Sequence, residues 1–446
     1  MKIFLVSLGC DKNLCDSENM LGMLSHAGHE ITDDETQADV IIINSCSFIG
    51  DAQEESINAI IEAGRFKSEG RCRYLIVSGC LSQRFREEIR EQLPEVDAML
   101  GTASFHRICE VIDALADGTA SVEFFDSTDG PVHSYRDRLL STGGHFAYLK
   151  IAEGCSKRCS YCIIPYLRGN YRSVPMEELL DEASRLVDRG VRELILVAQE
   201  TTLYGTDLYG HKSLPQLLHR LAGIRDLAWI RVLYCYPEEI DDELIEEIAA
   251  NPKVVKYLDL PLQSGSDRIL RAMGRLTDRA GVTDLIGRLR NRIPDICLRT
   301  TLISGFPGES EEDHQETLDL VREIRFDRLG VFPYSREKGT RAAAMKNQIP
   351  AKVRLRRRDE IMKLQQQISA EISQSCIGRT FDAFIEGRIA DEDIYAARTY
   401  RDAPDVDGFI FVRCGYELMS GDIVRAVVTD ASEYDLTGEI TDEHIE

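Results

Sequence analysis

The first third of the chain alternates short apolar segments with longer polar segments of helical periodicity. Strands that alternate with helices in this way are typical of a parallel α/β sheet. The segments predicted as buried strands are KIFLVSLG, DVIIINSCSF and RYLIVSGC, and DAQEESINAIIEAGRFK is predicted as a helix. We therefore predict an α/β domain over residues 1–135.

A polar, glycine-containing stretch at 126–145 predicts the connection to a second domain. Beyond it, strand and helix patterns alternate six times, with strands beginning at AYLKIAEG, ELILVAQE, WIRVLYCY, YLDLPLQ, CLRTTLISGF and RLGVFPYS. Six units instead of eight indicate an incomplete, TIM-like (β/α)6 barrel, whose active face would lie at the carboxyl ends of the strands. This domain is predicted over 136–375, and its last part reads as one long helix after Pro350.

The pattern changes again over residues 376–446, where short strands and turns replace the helices. The predicted strands are TFDAFIEGR, DIYAARTY, GFIFVRC and DIVRAVVT. They predict a small antiparallel, OB-like β-barrel, of a kind that often binds oligomers.

Three cysteines with the spacing C-x3-C-x2-C follow the first strand of the predicted central barrel. They are Cys155, Cys159 and Cys162, in a stretch that Gly154 and Pro165 mark as a loop. Four thiolates normally hold a 4Fe–4S cluster, so three would leave one iron open to an outside ligand. Two other interpretations stay open: a zinc site, for which His145 is the nearest histidine, and a buried helical face.

A second set of three cysteines is spread over the first domain. Cys10, Cys46 and Cys80 each come just after a predicted strand. Open α/β sheets bind ligands at the carboxyl ends of their strands, so these thiols are expected to converge on one site. The alternative is that each is a small buried apolar side chain. The remaining cysteines lack ligand spacing and are expected to be structural: Cys15, Cys72, Cys109, Cys235, Cys297, Cys376 and Cys414.

The cysteine motif after the first barrel strand resembles that of the radical S-adenosylmethionine (SAM) superfamily. SLGCDKNLCDSENMLG, NSCSFIGDAQEESI and SGCLSQRF resemble the amino-terminal domain of the methylthiotransferases. The resemblance extends over essentially the whole chain and implies that the carboxy-terminal barrel is a TRAM domain. It also implies SAM and two 4Fe–4S clusters as cofactors, each cluster held by one of the two cysteine sets.

This resemblance implies the insertion of a methylthio group at an unactivated carbon. One cluster would cleave SAM to a 5′-deoxyadenosyl radical, and the other would present a methylated sulfur to the substrate. Lys12-Asn13 and the segments CIIPYLRGNYRSVP, AQETTLYGTDLYG, DAPDVDGFIFV and ASEYDLTGEI resemble the branch that modifies an aspartate of the small-subunit ribosomal protein near the decoding centre. Ser264-Gly265 has the form of the other branch, which modifies an adenosine of transfer RNA.

The charge of the chain favours a basic protein partner over RNA. The net charge is −23, and residues 382–446 hold 17 Asp and Glu against 5 Arg and no Lys. Such a surface repels phosphates and attracts a basic protein. The basic segment RLRRR at 354–358 is interpreted either as an RNA contact or as a solvated helix face. A non-catalytic iron–sulfur scaffold is a further alternative, which the absence of a fourth thiolate in each cysteine set disfavours.

Several side chains are predicted to contact the cofactors. Gln199 and Glu200 end the second barrel strand and are expected near the amino group or ribose of SAM. The resemblance places Gly305 and Gly308, in TTLISGFPGES, beside its adenine, where glycine permits close backbone approach. Arg168 and Arg172 are predicted to pair with carboxylates, and Tyr161 is expected to pack over the cluster.

The chain begins without the features of a signal peptide and has no apolar run of roughly 18 residues. We therefore expect a cytoplasmic protein. The resemblance implies an electron donor such as a flavodoxin-type protein, a sulfur donor and association with the ribosome.

Overall fold

The computed structural model describes residues 1–133, 137–389 and 392–441, which form three folded units. The predicted boundary between residues 135 and 136 lies outside the described residues. The predicted boundary after residue 375 falls in the turn that follows the long helix.

The amino-terminal unit is a parallel α/β domain, which confirms the predicted class. Its strands are β1 (Lys2–Ser7), β2 (Glu30–Ile31), β3 (Val40–Ser45), β4 (Tyr74–Gly79), β5 (Ala98–Leu100) and β6 (Val122–Phe124). Its helices are α1 (Asp11–His26), α2 (Gly50–Glu69), α3 (Cys80–Arg84), α4 (Arg86–Gln92) and α5 (Ile108–Ala116). All neighbouring strands are parallel, in the order β2-β1-β3-β4-β5-β6. Because helices cover both faces, β3 is buried along its whole length.

The central unit is the predicted incomplete barrel. Its strands are β7 (Phe146–Lys150), β8 (Ala152–Glu153), β9 (Arg172–Ser173), β10 (Glu193–Val197), β11 (Trp229–Val232), β12 (Val254–Asp259), β13 (Cys297–Ser304) and β14 (Arg328–Pro333). Its helices are α6 (Ile164–Arg168), α7 (Met176–Asp188), α8 (Thr206–Tyr209), α9 (Leu214–Ala222), α10 (Asp242–Ala250), α11 (Asp267–Met273), α12 (Arg279–Arg292) and α13 (Glu311–Ile324). Six parallel strands follow the order β7-β10-β11-β12-β13-β14 without closing, and β8 and β9 form a separate antiparallel pair.

A long helix, α14 (Ala351–Gln374), leads into the carboxy-terminal barrel, as the sequence predicts. The barrel strands are β15 (Thr380–Arg388), β16 (Ile394–Arg398), β17 (Ile410–Arg413), β18 (Ile423–Ala431) and β19 (Leu436–Ile440). They close in the order β15-β16-β17-β19-β18, so the structure adds a fifth strand to the four predicted. The pair β17–β19 is parallel and the other pairs are antiparallel. A closed ring with an odd number of strands cannot be antiparallel throughout.

The three units are joined by buried side chains. Arg398 of β16 donates hydrogen bonds to Glu193 of β10 at 2.7 Å and to Glu386 at 2.6 Å. On the other side, Arg84 of the first domain donates to Glu337 of the central unit at 2.6 Å. Within the described ranges, no helix combines the length and apolarity that crossing a membrane requires.

Candidate active site

The three cysteines of the first domain lie at the carboxyl edge of its sheet. Cys10 follows β1, Cys46 follows β3 and Cys80 follows β4. The strand order reverses between β1 and β3, and this switch point is where doubly wound sheets bind ligands. Gly9 has a φ of +93°, and a Cβ at this position would lie 2.8 Å from Cys46 Sγ, so glycine lets the two loops meet.

Two of these thiols, Cys46 and Cys80, have raised pKa values. Burial and the neighbouring Cys80 raise the pKa of Cys46 to about 12. Burial also raises the pKa of Cys80, although the Arg168 guanidinium opposes that rise. Iron binding would therefore release protons from this set of thiols, and metal affinity would increase with pH.

The second set lies on the loop after β8, in turn and irregular structure. Burial raises the pKa of Cys155 to about 11. The pKa of Cys162 is also raised, chiefly by burial and in part by the neighbouring Cys159. Because these three cysteines lie on a loop, the alternative of a buried helical face is excluded. His145 precedes β7 at the opposite end of the strand and contacts Glu386 through Nε2 at 2.8 Å, so it is not a fourth ligand for zinc.

Both sets have the donor chemistry of a site-differentiated iron–sulfur cluster, namely three soft sulfur donors. In each set the members lie close together: Cys10 and Cys80 act on the pKa of Cys46, and Cys155 and Cys159 act on that of Cys162. A cube of four irons holds its thiolates farther apart than a single ion does. Among the residues that the structure describes, no three His, Cys, Asp or Glu side chains are arranged for a single metal ion.

Arg168 connects the two cysteine sets. It lies on α6, shortly after Cys162, and is almost fully buried. Its guanidinium donates hydrogen bonds at 2.9 Å to Asp16 Oδ2 and to Glu153 Oε2, and it also bonds Asn13 Oδ1. The predicted pairing with carboxylates is therefore present for Arg168. For Arg172 it is not found among the described residues, where its guanidinium donates to the Arg168 carbonyl at 3.2 Å.

A second cation completes this buried network. Lys150, at the end of β7, bonds Asp16 and donates to Glu153 at 3.0 Å. Although burial opposes ionisation, Arg168 and Lys150 hold the pKa of Glu153 far below its usual range. The two cations and the two carboxylates neutralise one another, as buried charged groups must.

Gln199 and Glu200 follow the end of β10, and Gln199 joins this network. Gln199 Nε2 donates to Glu153 Oε1 at 2.7 Å. Glu200 Oε1 accepts from the Thr202 amide at 2.9 Å, and burial raises the pKa of Glu200 to about 7. Gln199 Oε1 and Glu200 Oε2 are buried, and no described residue bonds either atom. These two buried oxygens without a partner, with Glu200 close to Cys155, fit the amino group of a SAM-like ligand.

The two predicted glycines differ in their surroundings. A Cβ on Gly305 would lie 2.1 Å from Arg354 Cγ of α14, and the Gly305 amide donates to Glu309 at 3.0 Å. Gly308, with φ of +81°, has open space where its Cβ would be. Their contact with the adenine stays a prediction. Gly265 is required for packing, since a Cβ there would lie 2.6 Å from Thr317 Cα.

The structure also assigns the basic segment at 354–358. Arg356 pairs with Glu311 at 2.9 Å and Arg357 with Glu309 at 2.8 Å. Arg358 pairs with Asp359 at 2.7 Å. Carboxylates of the same chain neutralise these arginines, which argues against an RNA contact. Arg356 lies on a solvated helix face as the second interpretation expects, whereas Arg357 is buried.

Several aromatic and basic side chains near the cysteines were absent from the sequence-based prediction. Lys12 Nζ lies 3.3 Å from the centroid of the Tyr234 ring, next to Cys10. Arg275 stacks over Tyr236 at 4.1 Å, and the Tyr236 hydroxyl lies 3.8 Å from Cys159 Sγ. The half-buried Tyr161, which the sequence did predict beside the cluster loop, lies next to Cys159 and Arg275. The sequence signal was weak, because single Lys, Arg and Tyr residues carry no spacing pattern.

Comparison with known proteins matches three successive parts of the chain. Residues 2–101 match the family model described as Uncharacterized protein family UPF0004, residues 149–321 match the Radical SAM superfamily, and residues 377–441 match the TRAM domain. A solved radical S-adenosylmethionine methyltransferase, TsrM from Kitasatospora setae, superposes with a TM-score of 0.54, 14% identity and coverage of 89% of this chain and 80% of that one. At this identity the likeness concerns the fold alone. Fold and site together define a radical SAM protein with an amino-terminal α/β domain and a TRAM barrel.

Relatives found by sequence share a much larger fraction of identical residues with this chain. The ribosomal protein uS12 methylthiotransferase RimO of Lachnoclostridium phytofermentans is 53% identical over 438 residues, 98% of this chain and 99% of the relative. The protein of the same name from Thermoanaerobacter sp. (strain X514) is 48% identical over 439 residues, again 98% and 99%. The chain belongs to the RimO family.

Proposed function

We propose that the protein is a radical SAM methylthiotransferase that adds a methylthio group to the β-carbon of an aspartate in ribosomal protein uS12. Membership of the RimO family supports the substrate class. The arrangement that carries the proposal is the position of Arg168, which contacts residues of both domains between two sets of three thiols. Two clusters, each with one iron left open, would suit a reaction that needs both a radical and a sulfur donor.

Six thiols would hold the clusters: Cys155, Cys159 and Cys162 for one, and Cys10, Cys46 and Cys80 for the other. When bound, the clusters and SAM supply the radical and the transferable methylthio group. Gln199 and Glu200 would orient the amino group of SAM through their unpartnered oxygens. Tyr161 and Tyr236 would keep water from the cluster loop, because reactive intermediates require a dry site.

The acidic carboxy-terminal barrel supports a basic protein as substrate. Its net charge would steer such a partner toward the site, while it would repel transfer RNA. The Ser264-Gly265 pair does not favour the transfer-RNA alternative, since Gly265 packs against α13. We further propose a cytoplasmic enzyme that acts near the ribosome and uses a flavodoxin-type reductant and an external sulfur donor.

The decisive experiment offers both candidate substrates to the same enzyme. The anaerobically reconstituted protein, SAM, sulfide and a reductant are incubated with uS12 and, separately, with transfer RNA, and products are examined by mass spectrometry. We expect one methylthio group on an aspartate-containing peptide of uS12. The same modification on an adenosine would replace the proposal with the transfer-RNA reaction. SAM cleavage without any product on either substrate would contradict both.

The two cysteine sets are expected to separate in function. Cys159→Ala should abolish reductive cleavage of SAM, because it removes a ligand of the cluster that binds the cofactor. Cys46→Ala should keep the cleavage and lose methylthiolation. Cleavage is measured as 5′-deoxyadenosine and transfer as modified peptide, with the buried Cys297→Ala as control. Full methylthiolation by the Cys46 variant would exclude a second cluster from the reaction.

A further inference from the structure

A cleft of about 420 Å³ lies where the three units meet. The first domain contributes Cys10 and Asp11, the barrel contributes Tyr234 and Arg299, and the carboxy-terminal barrel contributes Asp405. The cleft therefore opens onto one proposed cluster ligand, and all three units are needed to build it.

Arg299 is the only cation among the residues that line this cleft. The other charged lining residues are Asp11, Asp259 and Asp405. Asp11 pairs at 2.9 Å with Lys12, which lies behind the lining, so Arg299 is the one cation that faces the cleft directly. A cleft with one directly exposed cation and several carboxylates is a poor binder of polyanions such as RNA. Arg299 is well placed for one carboxylate that belongs to an otherwise basic partner.

The position of Arg299 follows from its strand. Side chains alternate along β13, and Leu298 and Thr300 are fully buried on one face of the strand while Arg299 lies on the other. Its side chain keeps 19% of its surface exposed. The strand thus presents the guanidinium to the cleft from a rigid element, which favours accurate recognition.

Two carboxylates orient the guanidinium but leave part of it available. Nη1 donates to Asp259 Oδ1 at 3.0 Å, and Nε lies 3.5 Å from Asp407 Oδ1. No described residue accepts a hydrogen bond from Nη2. Both carboxylates have other donors: the Tyr234 amide bonds Asp259 at 3.1 Å, and the Tyr257 hydroxyl bonds Asp407 at 2.7 Å. The arginine is therefore held in place without being saturated.

We propose that Arg299 binds the side-chain carboxylate of the substrate aspartate through Nη2 and thereby selects aspartate over asparagine. This inference rests on the proposed function. An arginine–carboxylate hydrogen bond is charge-assisted and directional. Because the carboxylate is attached to the β-carbon, anchoring it would also limit where that carbon can lie relative to Cys10.

The test combines enzyme and substrate variants. Wild type, Arg299→Gln and Arg299→Lys are assayed on uS12 and on uS12 with the target aspartate changed to asparagine, and kcat/KM for methylthiolation is measured. Cleavage of SAM without substrate is measured as 5′-deoxyadenosine. Arg328→Gln is the control, because Arg328 pairs with Asp402 at the same domain boundary and does not line the cleft.

We expect Arg299→Gln to lower kcat/KM on the aspartate substrate by roughly 30-fold or more, as truncation of one partner of a buried charge pair does. Its preference for aspartate over asparagine should fall to within a few-fold, while cleavage without substrate is unchanged. Arg299→Lys should keep part of the preference, and Arg328→Gln should keep all of it.

Two results would overturn the inference. The first is that Arg299→Gln retains the wild-type preference for aspartate. The second is that Arg299→Gln also loses SAM cleavage without substrate, which would indicate a purely structural role. A wild-type enzyme that fails to modify uS12 would instead contradict the proposed function, and the two failures are therefore distinguishable.

Discussion

Arg168 links the first domain to the central barrel in the region between the two cysteine sets. Its guanidinium contacts Asn13 and Asp16 of the first domain and Glu153 of the barrel. Gly9 has a comparable role on the backbone, because any larger residue would collide with Cys46. Single residues outside the ligand motifs therefore hold the loops that carry the cysteines in place.

Two glycines of one loop provide a matched pair of variants. Gly305→Ala should destabilise the protein by about 1–3 kcal/mol more than Gly308→Ala, since the added methyl meets Arg354 at only one of the two positions. Both glycines have positive φ and share the backbone strain of alanine in that region. Urea unfolding measures the difference. Equal losses would mean that Arg354 moves aside at no cost.

At the scale of elements, helix α13 shows how local signals fix a boundary. Ser310 and Asp313 form a reciprocal capping box at its first turn. Asp313 also accepts hydrogen bonds from Ser266 Oγ at 2.7 Å and from Arg268. Burial alone would raise the pKa of Asp313, but these donors hold it well below its usual range. The cap therefore connects α13 to the start of α11.

Asp313→Asn should lower the free energy of unfolding by about 1–2 kcal/mol at pH 7. The native carboxylate has a lowered pKa, so its stabilisation is present above the usual aspartate range and is lost as the pH falls through and below about 4. The difference in the free energy of unfolding between variant and wild type should therefore become smaller as the pH falls. Urea midpoints across this range test the expectation, with the exposed Glu316→Gln as control. A gap that does not change with pH would contradict the ionic contribution.

On the scale of the whole molecule, charge and domain docking are separate matters. The net charge of −23 affects which partners the protein attracts, whereas buried ion pairs hold the domains together. Glu193 receives hydrogen bonds from Arg398 at 2.7 Å and from Arg231 at 2.8 Å. Phe384 packs 5.3 Å from Trp229 at the same boundary. The carboxy-terminal barrel is thereby held against the central sheet and contributes Asp405 to the cleft.

Arg398→Met should weaken this docking by about 3 kcal/mol, because Glu193 and Glu386 lose a buried partner. Trp229 is the only tryptophan and lies at the boundary, so its fluorescence reports the docking during urea unfolding. The exposed Arg413→Met on the same barrel is the control and should have little effect. Unchanged midpoints for Arg398→Met would show that apolar packing alone holds the barrel.

The sequence by itself determined the kinds of elements and their order. Buried parallel strands are nearly continuous apolar runs, so β1, β3 and β4 and the six barrel strands were predictable, as were the cysteines that follow them. The fifth strand of the last barrel was missed, since LTGEI is short and mixes polar with apolar residues. The local C-x3-C-x2-C spacing was equally visible, because all its members lie on one loop.

Only the tertiary structure decided which side chains meet. Arg168 bonds Asp16 across 152 residues of sequence, and Arg299 enters a cleft whose other walls come from two different domains. Periodicity reports whether a position is buried, but it carries no information about its partner. Partners are set by strand order and domain docking, which depend on the packing of the whole chain.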